Sequence, residues 1–252
     1  MPTLARADLE SLLRARKLDR TLTSTLPGQP VHDELVVAAT DLSSLDARLA
    51  GGFPRGQLSE IVGPRSSGRT SLVLRTIAAA AGRGELVALV DALDAFDVAS
   101  AIAAGIDVER LLWIRGHVVT NPGMCRDLNQ RAVEQAIKAL TLVLQAGNFG
   151  LVVFDVAEAP HDALRRLPFT TWLRLQRMVE GSETACVLVG AEPMARSSAG
   201  LTLKVQRAAG GGVTTNGLLV KGLELGAHII RARARVHDEA PVAWSTRAAP
   251  HV

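Results

Sequence analysis

The sequence predicts an α/β fold in which a mainly parallel sheet is sandwiched by helices, with antiparallel strands at the C-terminal edge. Two observations predict it. Short, nearly unbroken apolar runs such as LVALVD (86–91) and LVVFD (151–155) alternate with longer helix-like stretches, the pattern of strands buried on both faces of a parallel sheet. The last quarter then changes character: strand-like runs follow one another with no helix between them.

Element by element, the N-terminus comes first. Residues 7–18 (ADLESLLRARKL) place Leu9, Leu12, Leu13 and Leu18 near helical spacing, and a Thr-, Pro- and Gly-rich connector follows. A helix tethered in this way either packs on its own core or docks on a neighbouring chain. Residues 1–45 are therefore read as an N-terminal helix and linker, an oligomerisation or docking arm, and residues 46–252 as the core domain. In the core, 57–62 reads as a strand and 70–81 as a helix rich in good helix formers. Strands at 86–91, 111–114, 151–155 and 185–189 alternate with helices at 98–104, 127–145 and 170–179. The closing β segments are 201–206, 218–225 and 227–236.

Composition narrows the class. The chain has 252 residues, 48% apolar and 21% charged, which is ordinary globular usage and excludes disordered, collagenous and disulfide-scaffold proteins. It has no apolar run long enough for a membrane span. The N-terminus lacks the apolar core of a secretory signal, and Cys125 and Cys186 stand far apart without ligand spacing, so a reduced, cytoplasmic protein is expected. His32, His117, His161, His228, His237 and His251 form no paired-ligand pattern, so no structural metal is expected. Net charge is +3, but residues 201–252 carry seven basic against three acidic side chains. Such a patch is either a solvated face or a footprint for an acidic partner or nucleic acid. In HIIRARARV (228–236), alternation sets Arg231, Arg233 and Arg235 on one strand face. They are candidates for contact with DNA or an acidic protein surface, or for protection of a sheet edge.

The sharpest motif is Gly63-Pro64-Arg65-Ser66-Ser67-Gly68-Arg69-Thr70, between a predicted strand and a predicted helix. In this setting glycines turn backbone N–H groups toward phosphate oxygens and the helix start adds its dipole. Gly63, Ser66, Ser67, Gly68, Arg69 and Thr70 are the candidate nucleotide-binding residues, with Asp155 at the end of an apolar strand as the acidic partner of magnesium. Where the pattern normally has lysine this chain has Arg69, and a planar guanidinium does not simply replace a compact ammonium between phosphates.

From LSSLDARLAGGFPRGQLSEIVGPRSSGRTSLVLRTIAAA onward, and again through LVALVDALDAFDVASAIAAGIDVERLLWI, the sequence resembles the bacterial recombinase RecA. The resemblance is dense over 40–115 and looser over 148–236, and it implies a RecA-like P-loop core that binds ATP at subunit interfaces and assembles on single-stranded DNA. It also exposes departures. The position of the family's water-polarising glutamate is Leu93, with Asp94 one residue beyond. The adenine-stacking tyrosine corresponds to Ser100, while Asp97 is kept where an acidic residue meets the base. The glutamine that couples nucleotide to DNA maps to Glu192, and Lys221 aligns with a lysine that reaches across the subunit interface. Residues 156–169 and 190–201 replace the two DNA-contacting loops and carry Arg165, Arg166 and Arg196.

Among RecA-like proteins the chain is most similar to the ImuA family, accessory proteins of SOS mutagenesis. That resemblance implies a non-catalytic adaptor in translesion synthesis, with RecA, ImuB, an error-prone polymerase and single-stranded or damaged DNA as partners and no membrane. No cofactor is expected to be required, and Mg-ATP is expected to be held at most weakly, through Thr70 and Asp155. The alternatives are a weak DNA-dependent ATPase and an SOS cell-division inhibitor, against which the recognisable loop Gly63–Thr70 speaks.

Overall fold

Runs in which almost every side chain is apolar form the middle of one large sheet. The computed structural model describes residues 36–116, 126–208, 213–216, 219–233 and 242–247. The predicted N-terminal helix with Leu9, Leu12 and Leu13 lies outside the described residues, as do Cys125 and Arg235. Strands β3 (Leu58–Val62), β4 (Val87–Asp91), β5 (Leu111–Arg115), β6 (Leu151–Asp155), β7 (Ala185–Gly190) and β8 (Ala199–Arg207) run parallel to one another. β9 (Val213–Asn216), β10 (Leu219–Ala232) and β11 (Val242–Arg247) are antiparallel additions. The spatial order is β11-β10-β8-β3-β7-β6-β4-β5, with β9 paired to β10.

Side chains alternate between two cores, as pleating requires. On one face Ile61, Leu89, Val153 and Val187 pack with Leu72, Val73 and Ile77 of α2 (Arg69–Gly82) and with α3 (Val98–Ala103). On the other, Leu58, Val90, Phe154 and Leu188 meet α4 (Arg126–Ala146) and α6 (Phe169–Val179), past the short α5 (His161–Arg165). The first face also takes in a small ribbon, β1 (Val37–Ala38) with β2 (Phe53–Pro54), and α1 (Ser43–Arg48) between them. Ala38 and Leu45 are fully buried, so packing begins ahead of residue 46.

The C-terminal edge differs from the reading by pattern in two ways. Segments 218–225 and 227–236 are a single strand that ends at Ala232. Gly226 is no turn, because it sits opposite Gln206 on one side and Ala243 on the other. Strand 201–206 belongs to the parallel set, pairing with β3. A parallel crossover normally needs a dozen or more residues and a helix, yet residues 191–198 pass from β7 over β3 to β8 with one 3-10 turn, Arg196–Ser198.

That short crossover lays its backbone directly on the sheet, and buried N–H groups there must be paired. Glu60, fully buried in the middle of β3, pairs them. Its Oε1 accepts from the N–H groups of Met194 and Ala195, both at 2.7 Å, and its Oε2 accepts from the Thr202 hydroxyl at 2.8 Å. Glu60→Ala should therefore destabilise the chain by about 3 kcal/mol, since three buried donors lose their acceptor. Glu60→Gln, which keeps one oxygen for the two amides, should lose much less. Urea denaturation of both variants reads the difference, and equal losses would contradict the role given to the carboxylate.

Candidate functional site

In open α/β sheets, ligands bind beyond the carboxyl ends of the strands, and three of those ends meet here. β3 runs into the loop Gly63–Gly68, and β4 and β6 end at Asp91 and Asp155, which are direct register partners. Ser66 and Gly68 both have positive φ, +58° and +96°, giving the loop the tight curl that lets α2 begin at Arg69. The curl is packed from the side. A Cβ on Gly63 would lie 2.3 Å from the carbonyl oxygen of Val205, and one on Gly68 would lie 2.3 Å from the Leu225 side chain. β8 and β10 thus hold the loop, and only a residue without a side chain fits at either position.

The candidate nucleotide residues are brought together in part. Ser67 is buried, and its Oγ has no hydrogen-bond partner among the described residues. Arg69 is also buried, with Nη1 unpartnered in the same sense and Nη2 3.5 Å from Glu158 Oε1. The other oxygen of Glu158 lies 3.2 Å from Arg65. Thr70 is exposed on the first turn of α2. Two buried, unsatisfied polar groups beside a curled loop and a helix start fit an anion. Ser67, Arg69 and Thr70 are thus the residues that would hold a phosphate, and Asp155 the one that would face its metal. Glu158, which no motif signals, contributes a carboxylate of the protein's own to the same arginines.

Burial pushes the Asp155 carboxyl up to about 6, and the neighbouring charge of Asp91 adds to the rise. The Ala157 N–H, which donates to Asp155 Oδ1 at 2.8 Å, and Arg69 oppose it. Burial likewise lowers the pKa of Arg69, against the pull of Asp155 and Glu158.

The remaining carboxylates at this end of the sheet are occupied. Asp91 accepts from the N–H groups of Ala95 and Phe96 and from Trp113 Nε1, so it shapes the turn that follows β4. In that turn Leu93 packs, partly buried, against the core on the α4 face. Asp94, at φ +56°, forms a two-pronged pair with Arg115 at 2.7 and 2.8 Å. That pair holds its carboxyl below the usual range. The Arg115 guanidinium in turn lies over the Trp113 ring at 4.6 Å. Asp97 accepts from the Ser100 N–H at 2.9 Å and caps α3. Glu192 sits elsewhere, on the 191–198 crossover, 3.6 Å from His161 Nδ1.

The basic stripe is also rearranged. An extra residue, Ile230, interrupts β10 between Ile229, opposite Leu203, and Arg231, opposite Thr202. Arg233 lies just past the strand end. Arg231 donates to the carbonyl oxygen of Arg196, and Arg233 donates to that of Ser197 at 2.7 Å. Both arginines therefore stand at the 3-10 turn of the crossover, with Arg165 and Arg166 exposed around the end of α5.

The raised Asp155 carboxyl has a consequence for stability. A carboxyl lifted from 3.8 to about 6 holds its proton more tightly in the folded chain. Its favourable contribution is complete below about pH 4 and is lost as pH rises through about 6. Asp155→Asn should accordingly raise stability at pH 7.5 by about 3 kcal/mol, and the gain should shrink toward zero at about pH 4. Urea denaturation of both proteins across this range checks it, and a gain independent of pH would exclude the titration of Asp155 as its source.

Comparison with known proteins agrees with this geometry. Residues 23–162 match the RecA N-terminal domain. Protein RecA of Chlorobaculum parvum is 38% identical over 122 residues, which are 48% of this chain and 31% of that protein. Protein RecA of Chlorobaculum tepidum is 37% identical over 124 residues, 49% of this chain and 32% of that protein. Protein RecA of Prochlorococcus marinus (strain SARG) is 45% identical over 121 residues, 48% of this chain and 28% of that protein. The match spans about a third of the length of these curated relatives. With residues 23–162, more than half of this chain, matching the family's domain and the sheet built around the Gly63–Thr70 loop, the chain belongs to the RecA N-terminal domain family.

Proposed function

We propose that this protein is a non-catalytic RecA-like adaptor in DNA-damage-induced translesion synthesis, contacting RecA and a complex of ImuB with an error-prone polymerase. One observation carries the non-catalytic part: the turn after β4 offers no free carboxylate to a water beside Asp155. Leu93, partly buried against the core, has no group to orient water, and Asp94 is engaged by Arg115. A positioned general base is worth about 10²–10⁴ in rate, and no other acidic side chain of that turn is free to supply it. The partners follow from the likeness to the ImuA family, whose members keep the RecA core with eroded ATPase residues.

A second reading, a weak DNA-dependent ATPase, draws on the buried, unsatisfied Ser67 Oγ and Arg69 Nη1 beside Thr70 and Asp155. Turnover separates the two. ATP hydrolysis by the full chain should be at least about 100-fold slower than that of a RecA bearing the glutamate, with or without single-stranded DNA. DNA-stimulated turnover abolished by Asp155→Ala would overturn the adaptor reading. In the same reading Arg69→Ala leaves binding to RecA and ImuB intact in pull-down from purified components, and loss of binding by a folded variant would count against it.

A further inference from the structure

Around the segments that follow β6 and β7, α5, the start of α6 and the 191–198 crossover line an open pocket of about 160 Å³. Its walls are Leu164, Leu167, Phe169, Trp172, Pro193 and Met194. Phe169 is 39% exposed, although an apolar side chain of its size is ordinarily covered. An apolar cavity of about 150 Å³ lined by leucine, isoleucine and phenylalanine takes up benzene, so this one has the volume of a phenyl ring.

The rim has the opposite character. Arg165 and Arg196 line the opening, and the hydrogen bonds from Arg231 and Arg233 to the Arg196 and Ser197 carbonyls bring two more guanidiniums to the same turn. The one carboxylate of the lining, Glu192, faces His161 at 3.6 Å. A pocket with one apolar side, flanked by arginines, is complementary to an acidic segment that carries one large apolar residue.

We infer that this cavity is a docking pocket for an acidic, extended peptide segment of a partner protein, which inserts a single phenylalanine-sized side chain between α5, α6 and the crossover while its carboxylates meet Arg165, Arg196, Arg231 and Arg233. A nucleobase is the poorer occupant. Its polar edges would be desolvated against Leu164, Leu167 and Met194, which offer no donor or acceptor. The larger aromatic face, Trp172, is only 3% exposed and is not presented for stacking. The inference does not rest on the adaptor reading, because the lining and its charge select the occupant whatever the phosphate loop does.

The test is fluorescence anisotropy of the full chain with a labelled peptide of aspartates around one central phenylalanine. Replacing that phenylalanine by alanine should weaken binding about tenfold or more, as expected for burial of a phenyl group. Two variants on exposed positions probe the two halves of the pocket. Ala191→Trp, which fills the cavity, should weaken the phenylalanine peptide by about tenfold and leave the alanine peptide unchanged. Arg165→Glu should weaken both peptides and flatten their salt dependence. Equal affinity for the two peptides, or unchanged affinity in both folded variants, would overturn the proposal. So would oligothymidylate binding that Ala191→Trp weakens as strongly, since that outcome assigns the cavity to nucleobases.

Discussion

A carboxylate buried in the centre of a sheet must be satisfied in full, and in this protein that requirement organises both ends of one strand. Glu60 stands in the middle of β3, the strand that leads into the phosphate loop. Its three donors all come from the crossover and the strand beyond it. A crossover of eight residues with a single 3-10 turn pairs little of its backbone internally, so the sheet supplies the acceptor for Met194 and Ala195. The same hydrogen bonds set Met194 in the cavity wall and fix the turn on which Arg196, Arg231 and Arg233 converge. Phosphate loop and cavity are different sites hung on one strand.

At the carboxyl ends of β4 and β6 the acidic side chains divide between structure and chemistry, and structure takes most of them. Asp91 builds a turn, Asp94 pairs with Arg115, and Asp97 caps a helix. Asp155 alone remains beside Arg69, and it sits where ionisation is disfavoured. Glu158 places a further negative charge against Arg69 and Arg65. Much of the positive charge that a phosphate would meet is thereby met from within the chain, which lowers the gain from binding one.

The fold was readable in the sequence wherever burial on two faces leaves an unbroken apolar run, as in β3, β4, β6 and β7. It was less readable at the C-terminal edge. Gly226 looks like a break because glycine is rare inside strands, but its partners on both sides keep it extended. The extra residue at Ile230 is invisible to a period-two reading, so the arginine stripe shifts from the regular face that alternation predicts. β11 does alternate, with Val242 and Trp244 inward and Ala243 and Ser245 exposed, but it is short and lacks the unbroken apolar run of the central strands. The curl of Gly63–Gly68 was legible because a tight turn from strand into helix calls for glycine, and Asp155 because it ends an apolar strand. Glu60, Glu158 and the Asp94–Arg115 pair were not, since their partners lie far away in sequence or have no required spacing. The cavity depends on the segments that follow β6 and β7 coming together, a tertiary event with no local signal.

The side packing of the phosphate loop bears on how such a motif persists. Gly63 is pressed on by a main-chain oxygen of β8 and Gly68 by Leu225 of β10, contacts made whether or not anything occupies the loop. A larger residue at either position would disturb the sheet before it disturbed a ligand. The glycine signature is therefore held by packing whatever the loop binds. In a chain of this kind the spacing of glycines testifies to architecture, and the question of chemistry passes to the side chains that no packing contact compels.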